Sequence, residues 1–439
     1  MVRRTTTITI SLCLLFVVMF SDVHAQRTQV TLWIMPSGID LTRRIGIELR
    51  LFEEANPDIE VIVEFVSWSE ALTFFREADS NLRLPPDVIQ VGSTWLSSLV
   101  ADDLLASFTE AEQTGIGGQS SFVDELWIAG SIEDQFFSVP WIIDTRAIVY
   151  RKDIMEQVGI DPSTAFTDWA AFDQTLQTLQ EADLFVYTAD NTPLQVYPIS
   201  IPGRPETNAV HDLAPWIWGS GGSFLNNDNS AVAFDQPEGI AGFEFYTDLF
   251  FKGYTPPNIN QFTFRDSDSW FINRRAVMTI SGAWIIQRLR LTALSDDIEV
   301  QLLPAGEAGR FSFLGGSGLA IWKDARNHEA AYTLLSFLTS TESQARFTQN
   351  AGLLPARLDV LQSDLFAQDP EYSVFAQAIE FGRVYPRIDN WAEVEVALSL
   401  AIEQMWEQAA FFPNDFSDPE VLRTLIAGQA QTVNAIVGQ

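Results

Sequence analysis

The chain is poor in several things that chemistry often needs. In 439 residues it has one cysteine, Cys13, three histidines and three lysines, Lys152, Lys252 and Lys323. Cys13 lies in the apolar N-terminal stretch. The rest of the chain can therefore form no disulfide, thiol nucleophile or thiolate metal site. Beyond residue 25 only His211 and His328 remain; both read as solvated, His211 in the loop "AVHDLAP" and His328 at a helix start. There is no GxSxG, HExxH or P-loop, and no GxGxxG between a strand and a helix. "GIGG" (115–118) lies in a polar loop, where it cannot cradle a phosphate at a helix start. Positive charge is scarce too, with 26 Lys and Arg against 58 Asp and Glu, a net charge of −32. Such a surface repels nucleic acid and anionic lipid, and both are excluded as partners. Past the N-terminus no apolar run reaches the roughly 18 residues of a membrane span.

Of what is present, the N-terminus comes first. Arg3-Arg4, the apolar run Ile8 to Phe20 and Val23-His24-Ala25 read as a secretory signal with cleavage after Ala25. Its removal makes the chain one unit more negative, since Arg3, Arg4 and Asp22 leave together. The mature protein is expected to be exported, soluble and held together by its core alone. Hydrophobic residues at 47% and aromatics at 12% suffice for such a core, and the length predicts two or three domains.

Strand and helix patterns alternate. "QVTLWIMPSG" (29–38) and "IEVIVEFV" (59–66) read as strands, and so does "DVIQVG" (87–92), with helices between them. This alternation predicts an α/β fold of doubly wound, mostly parallel sheets flanked by helices. Helices are predicted over 168–182, 237–253 and 327–352, the last broken near Ser340, and through most of the tail from Trp391. Residues 191–235, rich in Gly, Pro, Asn and Trp, read as elaborated loops. "NNDNS" (226–230) and "RDSDS" (265–269) lack the glycine and final glutamate of a calcium loop and read as turns.

Ligands of open parallel sheets sit beyond the carboxyl ends of the strands. Those positions are Pro36-Ser37-Gly38, Gly92 to Trp95, Trp141 to Arg146 and Ser281 to Trp284. Three of the four carry a tryptophan. A flat indole covers the C–H face of a sugar ring, while Asp, Asn and Arg bind its hydroxyls. Trp33, Trp68, Trp95, Trp141, Trp216, Trp218 and Trp284 are the candidate platforms, with core packing as the competing role for each. Trp127, Trp169, Trp322 and Trp406 read as core. No carboxylate pair stands out for glycoside hydrolysis.

Five passages in one order resemble a known family. They are "PPDVIQVGSTWLSSLVADDLLASFTE" (85–110), "FSVPWIIDTRAIVYRKDIMEQVGID" (137–161), "FINRRAVMTISGAWIIQRL" (271–289), "GGSGLAIWKDARNHEAAYTLLSFLTSTESQARF" (315–347) and "AGLLPAR" (351–357). Together they are similar to the extracellular solute-binding proteins, family 1, of carbohydrate ABC importers, related to maltose- and trehalose-binding proteins. The resemblance implies two lobes, 26–141 plus 306–340 and 142–305 plus 341–439, joined by crossings near 141–144, 303–307 and 340–344. The lobes would close on a mono- or oligosaccharide in the cleft between them. The closed form would meet the membrane permease subunits of an ABC importer, as a monomer, without catalysis, cofactor or metal. Carried over by position, the ligand-binding candidates are Ser37, Gly38 and Trp68, then Ser93, Thr94 and Trp95. Trp141, Asp144 and Arg146 follow at the hinge, then Trp216, Trp218, Trp284, Gly316, Ser317 and Arg357. For Arg146 an ion pair across the hinge is the competing role. No cysteine follows the signal to carry a lipid anchor, which implies a periplasmic location. The same fold could instead take an amino acid, polyamine or phosphodiester, and a secreted glycosidase is a more distant alternative.

Overall fold

The computed structural model describes residues 27–80, 84–412 and 418–438. The expected signal, residues 1–25, lies outside the described residues.

Two sheets form the framework. In the first, the strands run in the order Leu354–Pro355, Val139–Thr145, Ser312–Ile321, Val88–Gly92, Thr28–Ile34 and Ile59–Phe65, with Gly382–Arg383 beside the start of Ser312–Ile321. In the second, the order is Tyr197–Ser200, Ala276–Ser281, Ala147–Arg151 and Ile298–Gln301. Val88–Gly92 is buried along its whole length, and its one polar side chain, Gln90, is satisfied by accepting from the Met35 N–H at 2.9 Å and donating to Ser317 at 2.7 Å. Helix Leu41–Ala55 turns Leu41, Ile45, Leu49 and Phe52 inward at helical spacing.

Both sheets are mixed, and the expectation of mostly parallel strands is corrected. Thr28–Ile34 pairs in parallel with both neighbours, but Ser312–Ile321 runs antiparallel to Val88–Gly92 and to Val139–Thr145. In the second sheet only Tyr197–Ser200 and Ala276–Ser281 are parallel. The cause is the way the chain changes sheet. Only Arg146 separates strand Val139–Thr145 from strand Ala147–Arg151, so the chain passes directly between the sheets without a crossover helix. It returns through 302–311 into Ser312–Ile321. Antiparallel pairing needs no helical crossover, and this is the pairing such passages produce.

Helix Thr341–Ala351 packs on the first lobe, although the sequence places a crossing at 340–344. Its Arg346 and Ser343 both bind Glu48 of helix Leu41–Ala55, at 2.7 and 2.8 Å, and Leu354 pairs with Ile143 in the first sheet. A buried carboxylate with three donors from one helix leaves that helix no freedom to join the other lobe. The long helix Trp391–Phe411 packs in the second lobe against Pro419–Val437 and Thr207–Gly219. Among the described residues no helix is long and apolar enough to cross a membrane.

Candidate functional site

Where the sheets face each other lies a cavity of about 400 Å³, within the range of small-molecule sites. The ends of the first-lobe strands line one side. Pro36, Ser37 and Gly38 follow the first strand, Ser93 to Trp95 follow the third, and Trp68 leans in from the second. Ile142, Asp144, Gly316 and Ser317 line the hinge; Trp284, Arg288, Phe264, Arg265, Asn208 and His211 line the second-lobe side.

Close backbone approach shapes the first-lobe wall. Gly38 has φ +68°, and a Cβ there would overlap the Ala351 carbonyl oxygen. Gly316, at φ +137°, lies against the Ile142 carbonyl in the same way. Only glycine fits at either position. Trp68 and Trp95 meet at 5.4 Å with their rings tilted by 59°, and the Trp68 indole donates to the Pro36 carbonyl at 2.9 Å.

The second-lobe wall is built on buried charge. Arg146, 1% exposed, donates to Asp144 at 3.1 Å and to Asn208 at 2.7 Å, and pairs with Asp212 at 3.4 Å. Its guanidinium lies 4.8 Å from the centre of the Trp284 ring, a cation–π contact. Asp268, equally buried, accepts from Ser281 at 2.8 Å, from the Trp284 indole at 3.0 Å and from Arg288 at 3.0 Å. Gly282 leaves room for the Trp284 ring to fold back over the backbone, where a Cβ would overlap it. Burial pushes Asp212 up to about 7, with Arg146 opposing. Asp144 and Asp268 also rise through burial, against the pull of Arg146 and Arg288 respectively. Asp144 keeps one oxygen, Oδ1, buried and without a hydrogen bond. Such an atom in a cavity wall favours a ligand that donates an O–H or N–H.

The structure brings Ser37, Gly38, Trp68, Ser93, Thr94, Trp95, Asp144, Trp284, Gly316 and Ser317 to this cavity. It places the other candidates elsewhere. Trp141, where the pairing with Ser312–Ile321 is irregular, packs on Phe347 at 4.8 Å and 11°. Trp216 and Trp218 lie on helix Thr207–Gly219 rather than in a loop. Trp216 stacks on Phe245 at 4.9 Å, and Trp218 packs against Phe224 and Tyr385. Trp33 is wholly buried against Phe75. Arg357 holds Asp359 at 2.9 Å and lies over Phe122, so it braces the first lobe. Arg146 lies beneath the wall and orients Asp144, Asn208 and Trp284.

His211 is the main correction among the residues not put forward. It is 9% exposed and lines the cavity. Its ring lies flat on Phe313 at 3.9 Å, and Nδ1 is 3.0 Å from the Tyr385 hydroxyl. Burial, with Arg146 adding, holds its pKa well below the ordinary value. "RDSDS" is likewise no turn. Thr263 and Asp266 form a capping box that opens helix Phe264–Ile272, which delivers Arg265 and Asp268.

The sequence pattern described as bacterial extracellular solute-binding protein matches residues 41–345. The diacetylchitobiose binding protein DasA of Streptomyces coelicolor is 24% identical over 348 residues, covering 78% of this chain and 76% of that one. The fold superposes on maltose-bound MalE3 of T. maritima with a TM-score of 0.79 at 22% identity, covering 92% of this chain and all of that one. It also superposes on UgpB from Mycobacterium tuberculosis in complex with glycerophosphocholine, with a TM-score of 0.74 at 18% identity, covering 92% and 98%. These relatives are binding proteins. A two-lobed α/β fold with a lined cleft between the lobes, and a match over most of its length, establish that this chain belongs to the bacterial extracellular solute-binding protein family.

Proposed function

We propose that the cleft takes a sugar of one to a few rings and that the exported protein carries it, as a monomer and without turnover, to the permease of an ABC importer. The observation that carries this reading is the convergence of three indoles on one cavity, Trp68 and Trp95 from the first lobe and Trp284 from the second. Indole faces match the C–H faces of a pyranose, and Asp144, Asn208 and Asp40 supply partners for its hydroxyls. Contacts from both lobes to one ligand favour the closed arrangement, because only that arrangement makes them together.

A phosphodiester is the second reading. Arg265 and Arg288 line the cavity, and UgpB in its complex holds glycerophosphocholine. Charge decides against it. Arg288 is already paired with Asp268, and Arg146 with Asp144 and Asp212, which leaves Arg265 to face an anion against Asp40 and Asp144.

Melting the protein against a panel containing maltose, diacetylchitobiose, tagatose and glycerophosphocholine tests the choice. A sugar at about 100 times its Kd adds about 2.7 kcal/mol and raises Tm by several degrees. A shift with glycerophosphocholine alone would overturn the sugar reading. Turnover of an aryl glycoside would overturn the absence of catalysis.

A further inference from the structure

The cleft leaves one buried acid unexplained. Glu395 is wholly buried on helix Trp391–Phe411, most of which packs in the second lobe. Its Oε2 accepts from the Thr94 hydroxyl at 2.9 Å, across to the first-lobe wall. Its Oε1 makes no hydrogen bond and stands 3.8 Å from His211 Nδ1 on the second-lobe side. The helix start is docked on the first lobe by neighbouring contacts as well. Ser98 donates to the Asp389 carbonyl at 2.5 Å, Arg76 pairs with Glu393 at 2.6 Å, and Arg387 donates to the Ile128 carbonyl at 3.0 Å. The Arg76 pair is exposed and contributes little. The buried contact is the strong one. Ala392 packs with Trp95 and Leu99 of the first lobe, while Trp391 and Val394 pack in the second-lobe core.

We propose that Glu395 is a positioning residue for the ligand cleft: anchored in the second lobe, it fixes the Thr94–Trp95 turn of the first-lobe wall. The proposal rests on the cleft being the ligand site, but the fixing of Trp95 does not depend on which ligand binds.

The titration of Glu395 reads out its hold on that turn. Burial pushes its pKa up to about 8, with Thr94 and the Trp95 side chain opposing as donors. The titratable groups facing it are His211 from helix Thr207–Gly219 and Tyr385 from the segment before its own helix. Burial keeps both neutral, His211 by lowering its pKa and Tyr385 by raising it. Helix Leu96–Ala101 presents Ser98, which is not titratable. Behind them lie Arg146, Asp144 and Asp212, the last titrating at about 7. At neutral pH Glu395 is therefore a neutral acid, and it becomes a buried anion as pH rises through about 8.

The test uses full-length protein labelled with 15N-tryptophan, with the Trp95 indole resonance assigned from Trp95→Phe. Without ligand, that resonance should shift with a midpoint near 8. In Glu395→Gln, whose amide oxygen still accepts from Thr94, the shift near 8 should vanish while any change near 7 from Asp212 remains. With maltose as probe, Glu395→Gln should bind within about threefold of the parent, and Glu395→Ala about tenfold more weakly. A Trp95 resonance that does not titrate, or titrates equally in Glu395→Gln, overturns the proposal. Loss of the titration in Glu395→Gln in a protein that ignores maltose upholds the positioning role and counts only against maltose as the sugar.

Discussion

The first-lobe side of the cleft is shaped by backbone, with Gly38 and Gly316 letting main chain pass against main chain and Trp68 tied to the Pro36 carbonyl. The second-lobe side is shaped by charge, with Arg146 among Asp144, Asn208 and Asp212, and Asp268 gripping Trp284 and Arg288. The contacts at Gly38 and Gly316 depend on the absence of a methyl group, and on that wall the titrating partner is Glu395 behind the Thr94–Trp95 turn. The other wall also needs a glycine, Gly282, against the Trp284 ring, and it depends besides on which carboxyls carry a proton. On the sugar reading, a ring held in the cleft meets one face set by main chain and one set by buried charge.

The largest effect should come from removing the central cation of the charged wall. Arg146→Ala strands Asp144 and Asp212 in a buried site, a change that typically costs about 3–5 kcal/mol. Both carboxyls already have raised pKa values through burial, Asp212 at about 7. Lowering the pH through about 7 protonates Asp212 and removes its stranded charge. The loss seen by urea denaturation should therefore be large at pH 8 and clearly smaller at pH 5. An equal loss at both would mean that Arg146 matters only as packing.

The backbone wall should respond differently. Gly316→Ala must hold a side chain at φ +137°, with its Cβ overlapping the Ile142 carbonyl. Strain of this kind costs about 1–3 kcal/mol, and protonating the neighbouring Asp144 side chain does not move the Ile142 carbonyl that a Cβ would meet. The same loss is expected at pH 5 and pH 8, together with weaker ligand binding, since Gly316 lines the cavity. A pH-dependent loss would erase the contrast between the walls.

How far the sequence foretold this site depends on where its residues sit. The turns after the predicted strands, Ser37-Gly38, Ser93 to Trp95 and Trp284, could be placed because strand alternation is local and the sheet rule names its ends. Trp141 shows the limit of that rule: Ile142, Ile143 and Asp144 line the cavity, while Trp141, at an irregularity in the strand pairing that no local pattern announces, packs on Phe347. Trp216, Trp218 and His211 were misjudged for a different reason. Pro215 and the glycines after it read as loop, yet the chain forms helix Thr207–Gly219 through Pro215. Tertiary packing of Leu213, Trp216 and Ile217 in the second core outweighs the lost backbone donor. Capping could have revealed helix Phe264–Ile272, since Thr263 and Asp266 stand at capping-box spacing. The pairing of Glu395 with Thr94, 301 residues away, has no sequence signature at all.

Trp284 belongs to the charged wall but would act through its ring, so it sharpens the comparison most finely. One side of the indole is engaged by Arg146 and its N–H by Asp268, which fixes the ring before any ligand arrives. A pre-oriented aromatic at the centre of a site is the kind of residue that dominates binding. Trp284→Ala should weaken sugar binding by about 1–3 kcal/mol, with a smaller loss of stability because the side chain is only half-buried. Asp268 keeps Ser281 and Arg288 as donors in that variant, so no buried charge is abandoned. Trp284→Phe keeps a ring and loses only the indole N–H. If stacking is what matters, calorimetry should find Phe much closer to the parent than Ala. If Phe binds as poorly as Ala, the hydrogen bond to Asp268 is what the ligand depends on, and the charged wall works through charge alone.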